Sequence, residues 1–138
     1  MPPVPLRFVK FHGLGNDFVL TEDPLVSPER ARRICDRRRG IGADGVLTMG
    51  PPRSPGAAAS MHIYNADGSV AEMCGNGIRC AARHLAERGG GPVTGPLVID
   101  TDAGPRTCTV HRDGAAVEVS VDMGQARLEG EQTFDAAG

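Results

Sequence analysis

The chain has 138 residues, 40% of them hydrophobic and 23% charged, with a formal net charge of -2, which is typical of one globular domain rather than a disordered chain. The slightly acidic balance argues against nucleic-acid binding, which requires a positive face, and no apolar stretch reaches the roughly 20 residues of a membrane helix or forms a signal peptide. We therefore expect a cytoplasmic protein that binds neither nucleic acid nor membranes and keeps its four cysteines reduced.

The hydrophobic pattern predicts six or seven strands and two helices. Ser27 and Pro28 favour the start of the first helix, as its cap and first helical residue, and Gly40 favours its end. In chain order the predicted elements are strands 6–11 and 18–21, a helix between Ser27 and Gly40, strands 46–49 and 61–64, a helix at 76–88 that the glycines and proline of 89–92 end, and strands 97–101, 107–110 and 117–121.

Several kinds of chemistry are disfavoured by the residue pattern. The cysteines have no C-x-x-C or cysteine–histidine spacing, so we expect no metal site. "GIGADG" (40–45) matches a dinucleotide-binding fingerprint, but a predicted helix precedes it and a predicted strand follows it, which is the reverse of the required order. The only lysine, Lys10, lies in a predicted strand, so a pyridoxal phosphate enzyme is not expected. Three cysteines are interpreted as core residues: Cys35, Cys80 and Cys108.

Cys74 stands immediately before Gly75, Asn76 and Gly77, where the second helix is predicted to begin. A helix amino terminus offers free N–H groups and a partial positive charge, which favour a thiolate and bind carboxylates. The two glycines carry no side chain that would block a ligand. On these residues alone two interpretations stay open: a reactive thiol and a packed structural cysteine.

Four motifs in order resemble the diaminopimelate epimerase family: "FVKFHGLGNDFVL" (8–20), "GIGADG" (40–45), "NADGSVAEMCGNGIRC" (65–80) and "VDMG" (121–124). The resemblance extends from about Leu6 to Phe134. It implies an α+β fold, in which a curved, mostly antiparallel sheet wraps around the second helix as one half of a two-domain protein. It also implies a cofactor-free amino-acid epimerase of lysine biosynthesis, which interconverts LL- and meso-diaminopimelate.

The resemblance also implies roles for individual residues. In the family, two cysteines flank the α-carbon of the substrate; one removes a proton as a thiolate and the other delivers a proton to the opposite face. Cys74 matches the first of these catalytic cysteines. Gly75 and Asn76 match the backbone N–H pair that holds the α-carboxylate, and Asn16 and Asn65 match asparagines that contact the substrate.

Members of the family have a second half, with a second cysteine in a motif like A-C-G-[ST]-G, and no such motif occurs in this chain. We therefore expect residues 1–138 to be an amino-terminal epimerase domain that is inactive alone and forms a homodimer or self-associates through its exposed cleft face. Two alternatives stay open. One is a non-catalytic module that binds carboxylates or amino acids. The other is a related isomerase of the phenazine-pathway type, against which Cys74 counts because that type does not use the cysteine pair.

Overall fold

The computed structural model describes residues 5–88, 94–133 and 135. Neither helix in these ranges is long and apolar enough to cross a membrane. The predicted end of the second helix at 89–92 lies outside the described residues. The elements are β1 Val9–Gly13, β2 Asn16–Thr21, α1 Pro28–Cys35, β3 Gly45–Gly50, β4 Ala59–Asn65, β5 Val70–Ala71, α2 Gly75–Arg88, β6 Gly95–Thr101, β7 Gly104–Asp113 and β8 Ala116–Val121.

The strands form one mixed sheet in the order β1-β2-β3-β4-β6-β7-β8, and β5 pairs with β4. Neighbouring strands are antiparallel except for β2 with β3 and β4 with β6, which are parallel. A parallel pair needs a crossover connection. The crossover from β2 to β3 contains α1, and the crossover from β4 to β6 contains α2.

The sheet curls around α2, which contacts β1 to β4 and β6 to β8 and therefore touches both ends of the strand order. The buried residues of α2 are mostly small, and Ala81 and Ala82 are fully buried. Small side chains let the sheet approach the helix closely from several sides. Ile78 of α2 packs in this core with Leu47 and Ile99 from opposite halves of the sheet. The predicted α+β fold, with a mostly antiparallel curved sheet wrapped around the second helix, is confirmed.

The opposite face of the sheet is covered by α1. Ser27 caps this helix as predicted, since its Oγ accepts a hydrogen bond of 3.2 Å from the Arg30 N–H. Val19 and Val46 pack against α1, whereas their chain neighbours face α2, as the alternation of side chains along a strand requires. Three cysteines are buried in these two cores, as predicted: Cys35, Cys80 and Cys108.

The first helix ends earlier than predicted, at Cys35 rather than near Gly40. The Asp36 carboxylate accepts hydrogen bonds from the N–H groups of Arg38 and Arg39, at 2.8 and 2.9 Å. An aspartate that binds the backbone two and three residues ahead replaces the helical pattern with a turn. The glycine at position 40 is still required, because a Cβ there would clash with the carbonyl oxygen of Arg33.

The first strand begins later than predicted and continues to Gly13. It pairs with β2 through a two-residue turn at Leu14 and Gly15, both of which have positive φ angles, 54° and 84°. The glycines at 13 and 15 predicted a loop, but one of them extends a strand and the other turns a hairpin. The two-residue strand β5 has no predicted counterpart, since it is too short to produce a recognisable pattern.

Candidate functional site

The directions of the first four strands bring the candidate residues to one end of the sheet. β2 begins with Asn16 and β3 with Gly45, whereas β1 ends at Gly13 and β4 ends at Asn65. Gly13 pairs with Asn16, and Gly45 pairs with Asn65. The start of α2 lies at the same end, because Asn76 bonds to Asn16.

The start of α2 has the geometry of an anion-binding helix terminus. Its first helical hydrogen bond runs from the Ile78 N–H to the Cys74 carbonyl, at 2.9 Å. The N–H groups of residues 75–77 therefore have no acceptor within the helix, and the first turn contains no acidic side chain. A thiol at the cap position is not one of the favoured capping groups. The helix end thus presents N–H donors and a partial positive charge beside a half-buried thiol.

The two glycines that follow Cys74 have different surroundings. Beyond its own helix backbone and chain neighbours, a Cβ at Gly75 would first meet the Nη1 atom of Arg79, at 3.7 Å, so the space beside it is open. A Cβ at Gly77 would lie 3.1 Å from Cδ2 of Leu47 and 3.5 Å from Cβ of Cys74. Gly77 therefore allows close packing of the thiol side chain on the core, while Gly75 leaves room next to the helix end.

Two of the predicted asparagines are joined directly. Nδ2 of Asn76 donates to Oδ1 of Asn16 at 3.3 Å. The Arg79 guanidinium donates to Oδ1 of Asn76, and Nδ2 of Asn16 donates to Oδ2 of Asp44 at 2.8 Å. Gly13 allows this arrangement, since a Cβ there would lie 3.3 Å from Oδ1 of Asn76.

Asp44 belongs to a cluster of charged side chains beside Asn16. Its carboxylate accepts from the Asp17 N–H at 3.0 Å and from the Arg37 guanidinium at 3.1 Å. Asp17 in turn lies 2.7 Å from Arg37 and 2.6 Å from Lys10. The Arg37 guanidinium, and after it the Lys10 ammonium group, hold the pKa of Asp17 well below its usual range. Asp17 is therefore ionised at neutral pH and anchors both cations.

Asn65 lies at the same end of the sheet, but its side chain is bonded within its own turn. Its Nδ2 donates to Oγ of Ser69 at 3.0 Å, and its backbone N–H donates to the Ser69 carbonyl at 2.7 Å. Asn65 is exposed to solvent. The structure thus brings four of the five predicted site residues together, while the side chain of Asn65 is bonded within its own turn. The four are Asn16, Cys74, Gly75 and Asn76.

Two residues of the site, Asp44 and Arg79, were not predicted from the sequence. Asp44 lies in "GIGADG", a motif that matches a nucleotide fingerprint in sequence but does not itself indicate a contact with Asn16. Arg79 follows Asn76 by three residues, a spacing that puts both side chains on one helix face. That spacing was a usable signal for Arg79, whereas the contact of Asp44 depends on the pairing of β2 with β3.

Two concave surfaces in the described part of the chain hold none of the predicted site residues. A groove of about 500 Å³ runs between β1 and β8 over α2, lined among others by Phe11 and Val119. A larger cavity of about 590 Å³ lies at the opposite end of α2, between Phe8, His84 and Arg88. Size alone therefore does not identify the site; the helix end and its polar neighbours do.

Sequence comparison with known proteins finds the family that the four motifs resemble. A family model described as diaminopimelate epimerase matches residues 8–129. The diaminopimelate epimerase of a Cyanothece species is 48% identical over 130 residues, which cover 89% of this chain and 45% of that protein. The chloroplastic diaminopimelate epimerase of Oryza sativa subsp. japonica is 46% identical over 130 residues, covering 91% of this chain and 36% of that protein. The chain thus spans less than half the length of these relatives.

The fold also has a counterpart among solved structures. A probable proline racemase from Agrobacterium radiobacter superposes with a TM-score of 0.65, over 83% of this chain and 41% of that one. The sequence identity is 18%, so this likeness concerns the fold alone.

Proposed function

The chain belongs to the diaminopimelate epimerase family, and from this premise we propose that it forms the amino-terminal domain of a cofactor-independent epimerase. The proposed reaction interconverts LL- and meso-diaminopimelate, a small-molecule substrate of lysine biosynthesis. The observation that carries the proposal is the position of Cys74 at an uncapped helix start, where Asn76 of the first turn bonds to Asn16. A reaction that depends on free thiols suits a reducing compartment, so we propose a cytoplasmic location.

In the proposed mechanism the substrate carboxylate binds to the N–H groups of Gly75 and Asn76. The α-proton of an amino acid is very weakly acidic, so its removal requires stabilisation of the negative charge that develops on the carboxylate. N–H donors and a helix terminus that are already oriented supply this stabilisation without reorganisation. The Cys74 thiolate takes the α-proton, and the electron pair of the broken C–H bond moves toward the carboxylate.

Inversion needs a second group on the opposite face of the α-carbon, which returns a proton to it. We propose that this group, and the second wall of the cleft, come from the part of the family's length that this chain does not span. The exposed amide of Asn65 would contact the substrate from the end of β4. The 138-residue chain is therefore expected not to epimerise alone, since water can enter the half-open site and weaken each polar contact.

We also propose that the isolated chain self-associates, as a homodimer or a larger species. β1 and β8 end the strand order in the described part of the chain, and β8 pairs only with β7 there. Backbone groups along an open strand edge are a template for pairing with another chain. Sedimentation velocity at several protein concentrations would detect the association.

The proposal is tested by exchange of the α-proton of diaminopimelate in heavy water. The 138-residue chain is assayed alone and after addition of the carboxy-terminal portion of the Cyanothece relative, with Cys74→Ser as the matched variant. We expect stereoinverting exchange only when both portions are present and only with Cys74. Stereoinversion by the chain alone would show a second acid–base group within it. Binding of diaminopimelate without exchange in the two-part assay would favour the non-catalytic module.

A further inference from the structure

The hydrogen bonds that join Arg79, Asn76, Asn16 and Asp44 all run in one direction. Arg79 donates to Oδ1 of Asn76, Nδ2 of Asn76 donates to Oδ1 of Asn16, and Nδ2 of Asn16 donates to Oδ2 of Asp44. The series begins at a cation that can only donate and ends at an anion that can only accept. We name these four residues the amide relay.

The charged ends determine how both amides are oriented. If the amide of Asn16 were turned by 180°, its oxygen would face the Asp44 carboxylate. If the amide of Asn76 were turned, its NH₂ group would face the Arg79 guanidinium. Hydrogen bonds to charged groups are roughly twice as strong as neutral ones, so each reversal loses a strong bond and gains a repulsive contact.

The Asp44 end of the amide relay is held by further contacts, and the Arg79 end lies beside the start of α2. The Asp44 carboxylate also accepts from the Asp17 N–H and from Arg37, which fixes its position although the side chain is 44% exposed. Arg79 is half-buried and lies near the helix start, since its Nη1 would be the first contact of a Cβ at Gly75. The relay therefore connects the charged cluster beside β2 to the start of α2.

From this arrangement we propose that Asp44 and Arg79 are positioning residues that set the amide orientation of Asn16 and Asn76. The inference deepens the proposed function and rests on it for its catalytic consequence. With the relay in place, Oδ1 of Asn16 faces the start of α2 as a hydrogen-bond acceptor. The side chain of Asn76 is held at its oxygen by Arg79 and at its nitrogen by Asn16, while its backbone N–H has no acceptor within the helix and can bind a ligand.

The test changes one charged end of the relay and measures the effect on the asparagine that this end does not contact. Side-chain ¹H–¹⁵N amide resonances of Asn16 and Asn76 are recorded for the 138-residue chain and for the variants Asp44→Asn and Arg79→Gln. We expect Asp44→Asn to shift the Asn76 resonances and Arg79→Gln to shift those of Asn16, because each effect passes through the intervening amide. Arg79→Lys, which keeps a charged donor, should restore most of the wild-type shifts.

Two matched controls separate the relay from a general effect of lost charge. Arg83→Gln changes an exposed arginine one turn further along α2, which pairs with Glu87. Asp122→Asn changes an aspartate beyond β8 that accepts from the N–H of Gly124. Both controls should leave the asparagine resonances unchanged. If Asp44→Asn does not fold, Arg79→Gln compared with Arg83→Gln still decides the question.

A catalytic readout in the two-part assay completes the test. Loss of amide orientation should raise KM about tenfold, as expected for one impaired hydrogen bond to a charged group, while kcat changes less. Unshifted far-end amides in folded variants would overturn the inference, and so would shifted amides with an unchanged KM. Failure of the proposed function has a different signature, since the wild-type assembly would then show no α-proton exchange although the amide shifts could still be measured.

Discussion

Substitution of Gly75 by Val should impair anion binding at the start of α2 while leaving the fold intact. The nearest atom to a new Cβ would be Nη1 of Arg79 at 3.7 Å, an ordinary van der Waals contact at the end of a flexible side chain. Valine is roughly 0.3 kcal/mol more favourable than glycine in a helix, so the free energy of unfolding should change by less than about 0.5 kcal/mol. For a chain of this size that corresponds to about 2 °C in melting temperature.

The expected loss is in binding to the helix N–H groups. The valine methyl groups would occupy the open space beside Gly75, where a carboxylate must approach. A hydrogen bond to a charged group contributes about 1.5–3 kcal/mol, so losing one weakens binding roughly 10- to 100-fold. The assay compares alkylation of Cys74 by iodoacetate, which carries a carboxylate, with alkylation by neutral iodoacetamide. Crowding slows both reagents, but only iodoacetate depends on the N–H donors, so the ratio of the two rates should fall.

The matched control is Gly77→Ala. Its Cβ would lie 3.1 Å from Cδ2 of Leu47 and 3.5 Å from Cβ of Cys74, inside the packed core. Overpacking of this kind costs about 1–3 kcal/mol, so this variant should lower the melting temperature. The reasoning is refuted if Gly75→Val lowers the melting temperature more than Gly77→Ala does, or if it leaves the ratio of alkylation rates unchanged.

Three further predictions concern the thiols and the charged cluster. Cys74 should react with thiol reagents before the other cysteines, because it is half-buried whereas burial raises the pKa of Cys80 and Cys108 to about 11; mass-spectrometric mapping gives the order, and earlier labelling of another cysteine would contradict it. Cys74→Ser should keep the melting temperature but abolish exchange in the two-part assay, since an alcohol yields almost no anion at neutral pH; near-wild-type turnover would exclude the two-thiol mechanism. Because the pKa of Asp17 is lower in the folded chain than its ordinary value of 3.8, its contribution to stability is present above that value and is lost as the pH falls below it. Asp17→Asn should therefore flatten the acid dependence of the urea midpoint, and an unchanged slope would show that another carboxylate governs it.

The sequence was sufficient to predict those helices and helix ends that depend on residues close together in the chain. Ser27 and Pro28 specify the start of α1 through one cap and one fixed φ angle, and the apolar stripe that contains Ile78 specifies α2. The end of α1 was mispredicted because the hydrogen bonds of Asp36 compete with the helix, and a pattern of apolar residues contains no information about that competition.

For the candidate site, too, the residues of one short sequence stretch could be predicted, whereas contacts between distant residues could not. Cys74, Gly75, Asn76 and Gly77 follow one another in the sequence, so their local order was sufficient to predict an unusual helix start. Asp44 is 28 residues from Asn16, and their contact exists only because β2 and β3 pair in parallel. The side-chain bond of Asn65 to Ser69 depends on the exact turn geometry. Such contacts follow from strand register and turn conformation, which hydrophobic periodicity does not specify.

The wrapping of the sheet around α2 has a consequence for synthesis on the ribosome. By the time α2 is complete at Arg88, the chain has supplied β1 to β5, but the strands that cover the rest of the helix extend to Val121. At about 5–20 residues per second, residues 89–121 take roughly two to seven seconds to emerge. During that interval the nascent domain exposes the apolar face of α2 that β6 to β8 later bury. Binding of a nascent-chain chaperone should therefore be strongest between these two lengths.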